Sequence, residues 1–118
     1  MVREPGVYLP TMVVFETHQG IERLRLEGDH ARAAAIEEWA NGIIDGFGGR
    51  ILPLDLSVSI AGGKLSALAR KRGNHPGVAD ITIAATAQVH GLLLLTRNLK
   101  HFADLGIDAS DPTAGLPR

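Results

Sequence analysis

The chain has 118 residues, of which 45% are hydrophobic and none is cysteine, and its 12 basic and 13 acidic side chains give a net charge of −1. That length bounds one domain with one layered core, and the hydrophobic fraction is too high for a disordered chain. The missing cysteines exclude disulfides, thiolate metal sites and cysteine nucleophiles; with no membrane-length apolar run and no signal-like start, a soluble cytoplasmic protein is expected.

Val7 to Pro10 reads as a short extended stretch, and Thr11 as the N-cap of a helix that runs to about Leu26 and stops at Glu27-Gly28. Asp29 caps a second helix in which Ile36, Ala40, Ile43 and Phe47 recur at helical spacing, and Gly48-Gly49 ends it. Arg50 to Leu54 reads as a strand. Asp55 then caps a third helix, with Val58, Ala61, Leu65 and Leu68 on its inward face and Gly73 closing it. After the His75-Pro76-Gly77 loop, Asp80 opens a fourth, alanine-rich helix that ends at Gly91. The four leucines 92–95 suit a strand buried on both faces. One helical turn at Asn98 to Phe102 and an edge strand at Leu105 to Ala109 follow, and the tail from Asp111 is expected to be poorly ordered. Strands alternating with helices imply an α/β architecture with a small parallel sheet.

In such sheets ligands bind beyond the carboxyl ends of the strands. Glu16, Asp80 and Asn98 are the polar side chains the order of elements sends there. Each also has a structural explanation: Asp80 as a dipole-compensating acid in a first helical turn, Asn98 as a turn residue, and Glu16 as a helix acid, although Val13-Val14-Phe15 beside it suggest a largely buried segment. Together, two carboxylates and an amide form an oxygen-rich set suited to a hard divalent cation, which would activate water and offset charge on phosphorus. Other chemistries lack their signatures. His18, His30, His75, His90 and His101 show no metal-ligand spacing, and there is no phosphate loop, dinucleotide fingerprint or G-x-S-x-G elbow. The Arg70-Lys71-Arg72 cluster reads first as helix-terminal cations that complement the macrodipole. Few aromatic side chains are available to stack on bases.

Three segments resemble VapC-type PIN domains. Tyr8-Leu9-Pro10-Thr11 leading into Glu16-Thr17-His18-Gln19-Gly20-Ile21 is similar to the segment carrying that family's glutamate, and Arg50 to Asp55 to its middle strand and helix cap. Val78-Ala79-Asp80-Ile81-Thr82-Ile83-Ala84-Ala85-Thr86-Ala87, followed by His90-Gly91-Leu92 and Leu95-Thr96-Arg97-Asn98, resembles the aspartate helix, buried strand and closing turn. The resemblance implies a PIN-like three-layer sandwich over residues 1–112, lacking the usual first strand and helix, with 113–118 as a disordered tail. It implies a Mg2+-dependent endoribonuclease (Mn2+ as a substitute), the toxin of a type II toxin–antitoxin pair, acting on RNA, bound by a cognate antitoxin and assembled as a homodimer. Glu16 and Asp80 would hold the metal, Asn98 would assist, and Arg97 and Lys100 would meet RNA phosphates. His101 stands where many members have another aspartate. The family's opening strand, central in its sheet and ending in an aspartate, has no counterpart here. A shortened sequence and a non-catalytic remnant that only binds an antitoxin or another PIN subunit both remain open on the sequence. A phosphoacceptor receiver domain has the right size, but its acidic pair, phosphoacceptor aspartate and late lysine have no place in this chain.

Overall fold

The computed structural model describes residues 2–3, 6–95, 102 and 105–110. Two short strands, β1 (Val2–Arg3) and β2 (Gly6–Val7), form an antiparallel hairpin that the sequence reading did not anticipate. Strand β3 (Leu9–Pro10) leads into helix α1 (Thr11–Leu26). Pro10 takes the N-cap position and Thr11 is the first helical residue, so the expected Thr11 cap shifts by one. Its hydroxyl is used elsewhere: Thr11 Oγ1 accepts a hydrogen bond from the Leu54 backbone N–H at 3.1 Å, tying the start of α1 to the segment after β4 (Ile51–Leu52).

Helix α1 ends as the sequence suggests. Gly28 takes φ +88°, and the N–H groups of Glu27, Gly28 and Asp29 close on the carbonyls of Arg23, Arg25 and Leu24. Helix α2 (His30–Phe47) begins after Asp29, which holds the N-cap position but makes no side-chain cap bond. A single tight turn over Gly48–Arg50 joins it to β4. Helix α3 (Leu56–Lys71) has the cap foreseen for it, Asp55 Oδ1 accepting from the Val58 N–H at 3.0 Å. Helix α4 (Val78–Val89) starts two residues before Asp80, which lies in its first turn, and Gly91 at φ +63° turns the chain toward β5 (Leu94–Leu95). Strand β6 (Ala109–Ser110) ends the described part; of the strand expected over Leu105 to Ala109 only Ala109 is extended in a ladder, because Leu105 and Gly106 form a turn, with Gly106 at φ +71°.

The pairing is parallel where the sequence implied it. Leu9 and Pro10 pair with Ile51 and Leu52, and Leu94 and Leu95 pair with Ala109 and Ser110. Among the described residues these remain two separate two-stranded ladders. The core is also divided. Val58, Leu65 and Ala69 of α3 pack with Ile81, Ala84 and Ala85 of α4, and Leu92, Leu94, Phe102 and Leu105 complete that cluster. A smaller cluster of Ile21, Ala33 and Ala40 joins α1 to α2. Helix α1 also contacts α4, which links the two halves.

Helix α4 is the apolar centre, and it hides its hydroxyls within its own ladder. Thr82 donates to the Ala79 carbonyl at 2.9 Å and Thr86 to the Thr82 carbonyl at 2.7 Å, so neither polar group is buried unsatisfied. Between α1 and α2 the Arg25 guanidinium bridges Glu22 of its own helix and Glu37 of the next, at 2.6 Å from the latter. Arg25 holds the Glu37 carboxyl below the usual carboxylate range by that hydrogen bond, against a smaller opposing effect of desolvation.

Candidate functional site

Chain direction fixes where the candidate residues fall. Strands β3 and β4 run parallel, so α1 and α3, which follow them, both start at the same carboxyl edge of that ladder. Helix α4 is followed by β5 after a short connection through Gly91. A helix that returns so tightly to a strand runs antiparallel to it, which puts the N-terminus of α4, and Asp80, near the carboxyl end of β5. Glu16 lies in the second turn of α1, and α1 packs on α4. The two carboxylates therefore sit on neighbouring helices, each at the strand edge where an α/β fold places its ligands.

Their surroundings differ. Asp80 is half-buried. Glu16 is exposed, which corrects the expectation of a largely buried segment: Val13 and Val14 are half-buried, but Phe15 is 62% exposed. A helix rotates about 100° per residue, so apolar neighbours in sequence do not share Glu16's face. Gly20, one turn on, leaves open space beside Glu16, since a Cβ there would meet nothing within 4 Å. Asn98, Arg97, Lys100 and His101 lie outside the described residues. Among those described, no three His, Asp or Glu side chains group closely enough to share an ion. Two carboxylates nonetheless suit magnesium, which commonly takes one or two protein carboxylates and keeps water and phosphate oxygens as its other ligands.

His90 is the C-cap of α4 and its backbone N–H bonds the Thr86 carbonyl, but its Nε2 is buried with no hydrogen-bond partner among the described residues. The sequence reading missed the Thr11 link to Leu54. A threonine after a proline at a helix start signals a cap, and only the parallel β3–β4 pairing reveals a partner 43 residues away.

Comparison with known proteins bears on the fold and the family. Residues 2–107 match the PIN domain family. The chain is 34% identical to Toxin FitB of Neisseria gonorrhoeae over 103 residues, 86% of this chain and 73% of that protein. It is 39% identical to VapC ribonuclease Y4jK of Sinorhizobium fredii over 70 residues, 59% of this chain but only 50% of that protein. The crystal structure of FitAcB from Neisseria gonorrhoeae superposes with a TM-score of 0.79 at 30% identity, covering 91% of this chain and 76% of that one. FitAB bound to the IR36 DNA fragment gives 0.80 at 28% identity, over 95% of this chain and 76% of that one. The chain belongs to the PIN-domain family.

Proposed function

We propose that this protein is the toxin of a type II toxin–antitoxin pair and acts as a divalent-metal-dependent ribonuclease that hydrolyses RNA phosphodiester bonds. The observation that carries the reading is the family match over residues 2–107, with Asp80 in the first turn of α4 and Glu16 on the adjoining helix α1. The likeness to a VapC ribonuclease and to the FitB toxin supports both the reaction class and the biological setting.

A bound divalent cation, Mg2+ or Mn2+, supplies Lewis acidity that draws charge from the phosphoryl oxygens and makes water nucleophilic at neutral pH. In this reading the Glu16 and Asp80 carboxylates would hold the cation. Asn98 positions the attacking water. Arg97 and Lys100 fix the neighbouring phosphates, which sets the register of the strand without reading its sequence. The half-burial of Asp80 limits the water around its carboxylate and strengthens its attraction for a cation.

A cognate antitoxin is the proposed partner, supported by the FitAcB and FitAB structures, and a homodimer in the cytoplasm is the proposed assembly. No helix among the described residues is long and apolar enough to cross a membrane. The surface offers a place for a partner: Leu9, Val13, Ala40 and Ile43 line an open apolar cavity of about 180 Å³ between α1 and α2, and Trp39 beside it is 65% exposed. An exposed apolar face of this kind marks an interaction site more often than bare surface.

A second reading, a binding-only PIN subunit, is favoured by one observation: the described residues hold no three-donor acidic group. RNA cleavage by the 118-residue chain separates the two. The ribonuclease reading predicts cleavage with Mg2+, none with EDTA, and a large loss in Asp80→Asn, because a cation left with one protein carboxylate is no longer held to activate water. Folded protein that leaves RNA intact under all three conditions would establish the binding-only subunit.

A further inference from the structure

The charge of this chain is segregated in a way that its net value of −1 conceals. Residues 56–79, from the start of α3 to the first turn of α4, contain none of the 13 acidic residues but carry 4 of the 12 basic ones, Lys64, Arg70, Lys71 and Arg72, with His75 beside them. Lys64, Arg70, Lys71 and His75 are all exposed, and among the described residues Arg70 and Lys71 make no ion pair.

The end of α3 does not need these cations as caps. Its last carbonyls are closed by backbone: the Arg72 N–H bonds Leu68 and Ala69, the Gly73 N–H bonds Arg70 at 3.0 Å, and the Asn74 N–H bonds Ala69 at 2.8 Å. Gly73, at φ +78°, makes that closure possible. The side chains of Arg70 and Lys71 are left to face solvent.

The surface they border is concave. A shallow depression of about 470 Å³ is lined by Gly63, Ser66, Arg70 and Lys71. It continues through Ser66 and Arg70 into a second hollow walled by Asn74 and His75. From Ser66 and Pro76 a third hollow reaches Val78, Ile81 and Thr82, the residues flanking Asp80 at the start of α4. The three share residues and form one groove along α3 that ends against Val78, Ile81 and Thr82 in the first turns of α4. Its floor is made by small residues, and a Cβ built at Gly63 meets nothing within 4 Å.

We propose that this groove is a track for the phosphodiester backbone of single-stranded RNA, carrying the strand along α3 to the N-terminal turns of α4, the helix that bears Asp80. The proposal rests on the ribonuclease reading and names a substrate contact on an element that reading does not use. Phosphate contacts are made by Arg and Lys with Ser, Asn and backbone N–H groups, the kinds of donor found here. Lys64 and Lys71 stand about 10 Å apart along the helix, so the cations span more than one phosphate of an extended strand. A second copy of this face would set like charges against each other. A folded protein partner anchors through large apolar or aromatic side chains, whereas the part of the groove bordered by Arg70 and Lys71 is lined only by those cations and by Gly63, Ser66 and Ala67.

The test measures binding without cleavage. A 12-nucleotide, 5′-labelled RNA of mixed sequence is titrated with the full chain in EDTA between about 50 and 200 mM KCl, by fluorescence anisotropy. Three phosphate contacts on a single strand contribute about −2 to the slope of log K against log salt, about a 20-fold change in affinity over that range. The triple variant Lys64→Ala, Arg70→Ala, Lys71→Ala loses that part of the slope, each single variant loses about 0.7, and the charge-keeping set Lys64→Arg, Arg70→Lys, Lys71→Arg retains it. The single variants carry the test if the triple does not fold. An unchanged slope in them, no RNA binding by the wild type, tighter binding of duplex DNA through the same residues, or a change of oligomeric state in place of RNA affinity would each overturn the track. An unchanged slope with cleavage intact removes the track and leaves the ribonuclease, whereas patch-dependent binding without cleavage does the reverse.

Discussion

Gly62 lies in the middle of α3 and is buried against α4, a position where a glycine usually signals that no side chain fits. The geometry says otherwise. A Cβ built there meets Ile81 Cγ2 at 3.7 Å and the Ala85 Cβ at 3.8 Å, both ordinary van der Waals contacts. Gly62→Ala should therefore stabilise the fold. Helix propensity contributes about 1 kcal/mol, and burying the methyl adds up to about 0.5 kcal/mol. The gain raises the melting temperature by about 4–6 °C for a domain of this size. Gly63→Ala, on the open side of the same helix, should gain only the propensity part, so the difference between the two variants reads the α3–α4 contact itself. Gly62→Leu should forfeit much of that gain, because a first carbon already touching Ile81 and Ala85 forces the longer side chain to displace them or to turn out into the hollow beside Pro76 and Val78. Thermal and urea unfolding of the three variants measure this. A Gly62→Ala protein less stable than the wild type by about 1 kcal/mol, with Gly63→Ala stabilised, would refute the packing distance on which the argument stands.

Two further outcomes follow from particular bonds. Removing the α3 cap with Asp55→Ala should lower stability by about 1 kcal/mol in urea unfolding, since the Val58 N–H loses its acceptor; an effect below a few tenths would show that water replaces it. Glu37, whose carboxyl is held below its ordinary value of 4.5 by Arg25, stabilises the folded state above that pH and loses the contribution as pH falls through its folded value. Wild type and Glu37→Gln should then differ in melting temperature at pH 6 and converge in acid, and a constant difference down to pH 3 would remove the clamp from the account.

The helices were legible because punctuation marks them. Glu27-Gly28, Asp55, Gly73 and Gly91 stand at real helix boundaries, each by a mechanism local to a few residues. The strands were less so: two-residue strands show no periodicity, and the β1–β2 hairpin has no alternating pattern to announce it. Position along the chain also predicted burial poorly in α1 and α2. Of the residues that recur at helical spacing in α2, Ala40 is buried against α1 but Ile43 is 40% exposed, and Ala33, outside that set, completes the contact, since small side chains let the two helices approach. The order of elements was enough to place Glu16 and Asp80 on two helices, α1 and α4, that pack against each other. The exposure of Glu16 depends on which way α1 is turned, and that is set by Ile21 packing against α2, a long-range contact the local sequence does not carry.

The central claim is that Glu16 and Asp80 share one divalent cation, and Mg2+ titration calorimetry on the folded chain tests it most directly. The account predicts a single site that both Glu16→Gln and Asp80→Asn weaken by at least about tenfold, or about 1.4 kcal/mol, with the double variant little worse than either single one because both remove the same ion. Binding that is absent from the wild type, or that survives either substitution unchanged, would contradict it.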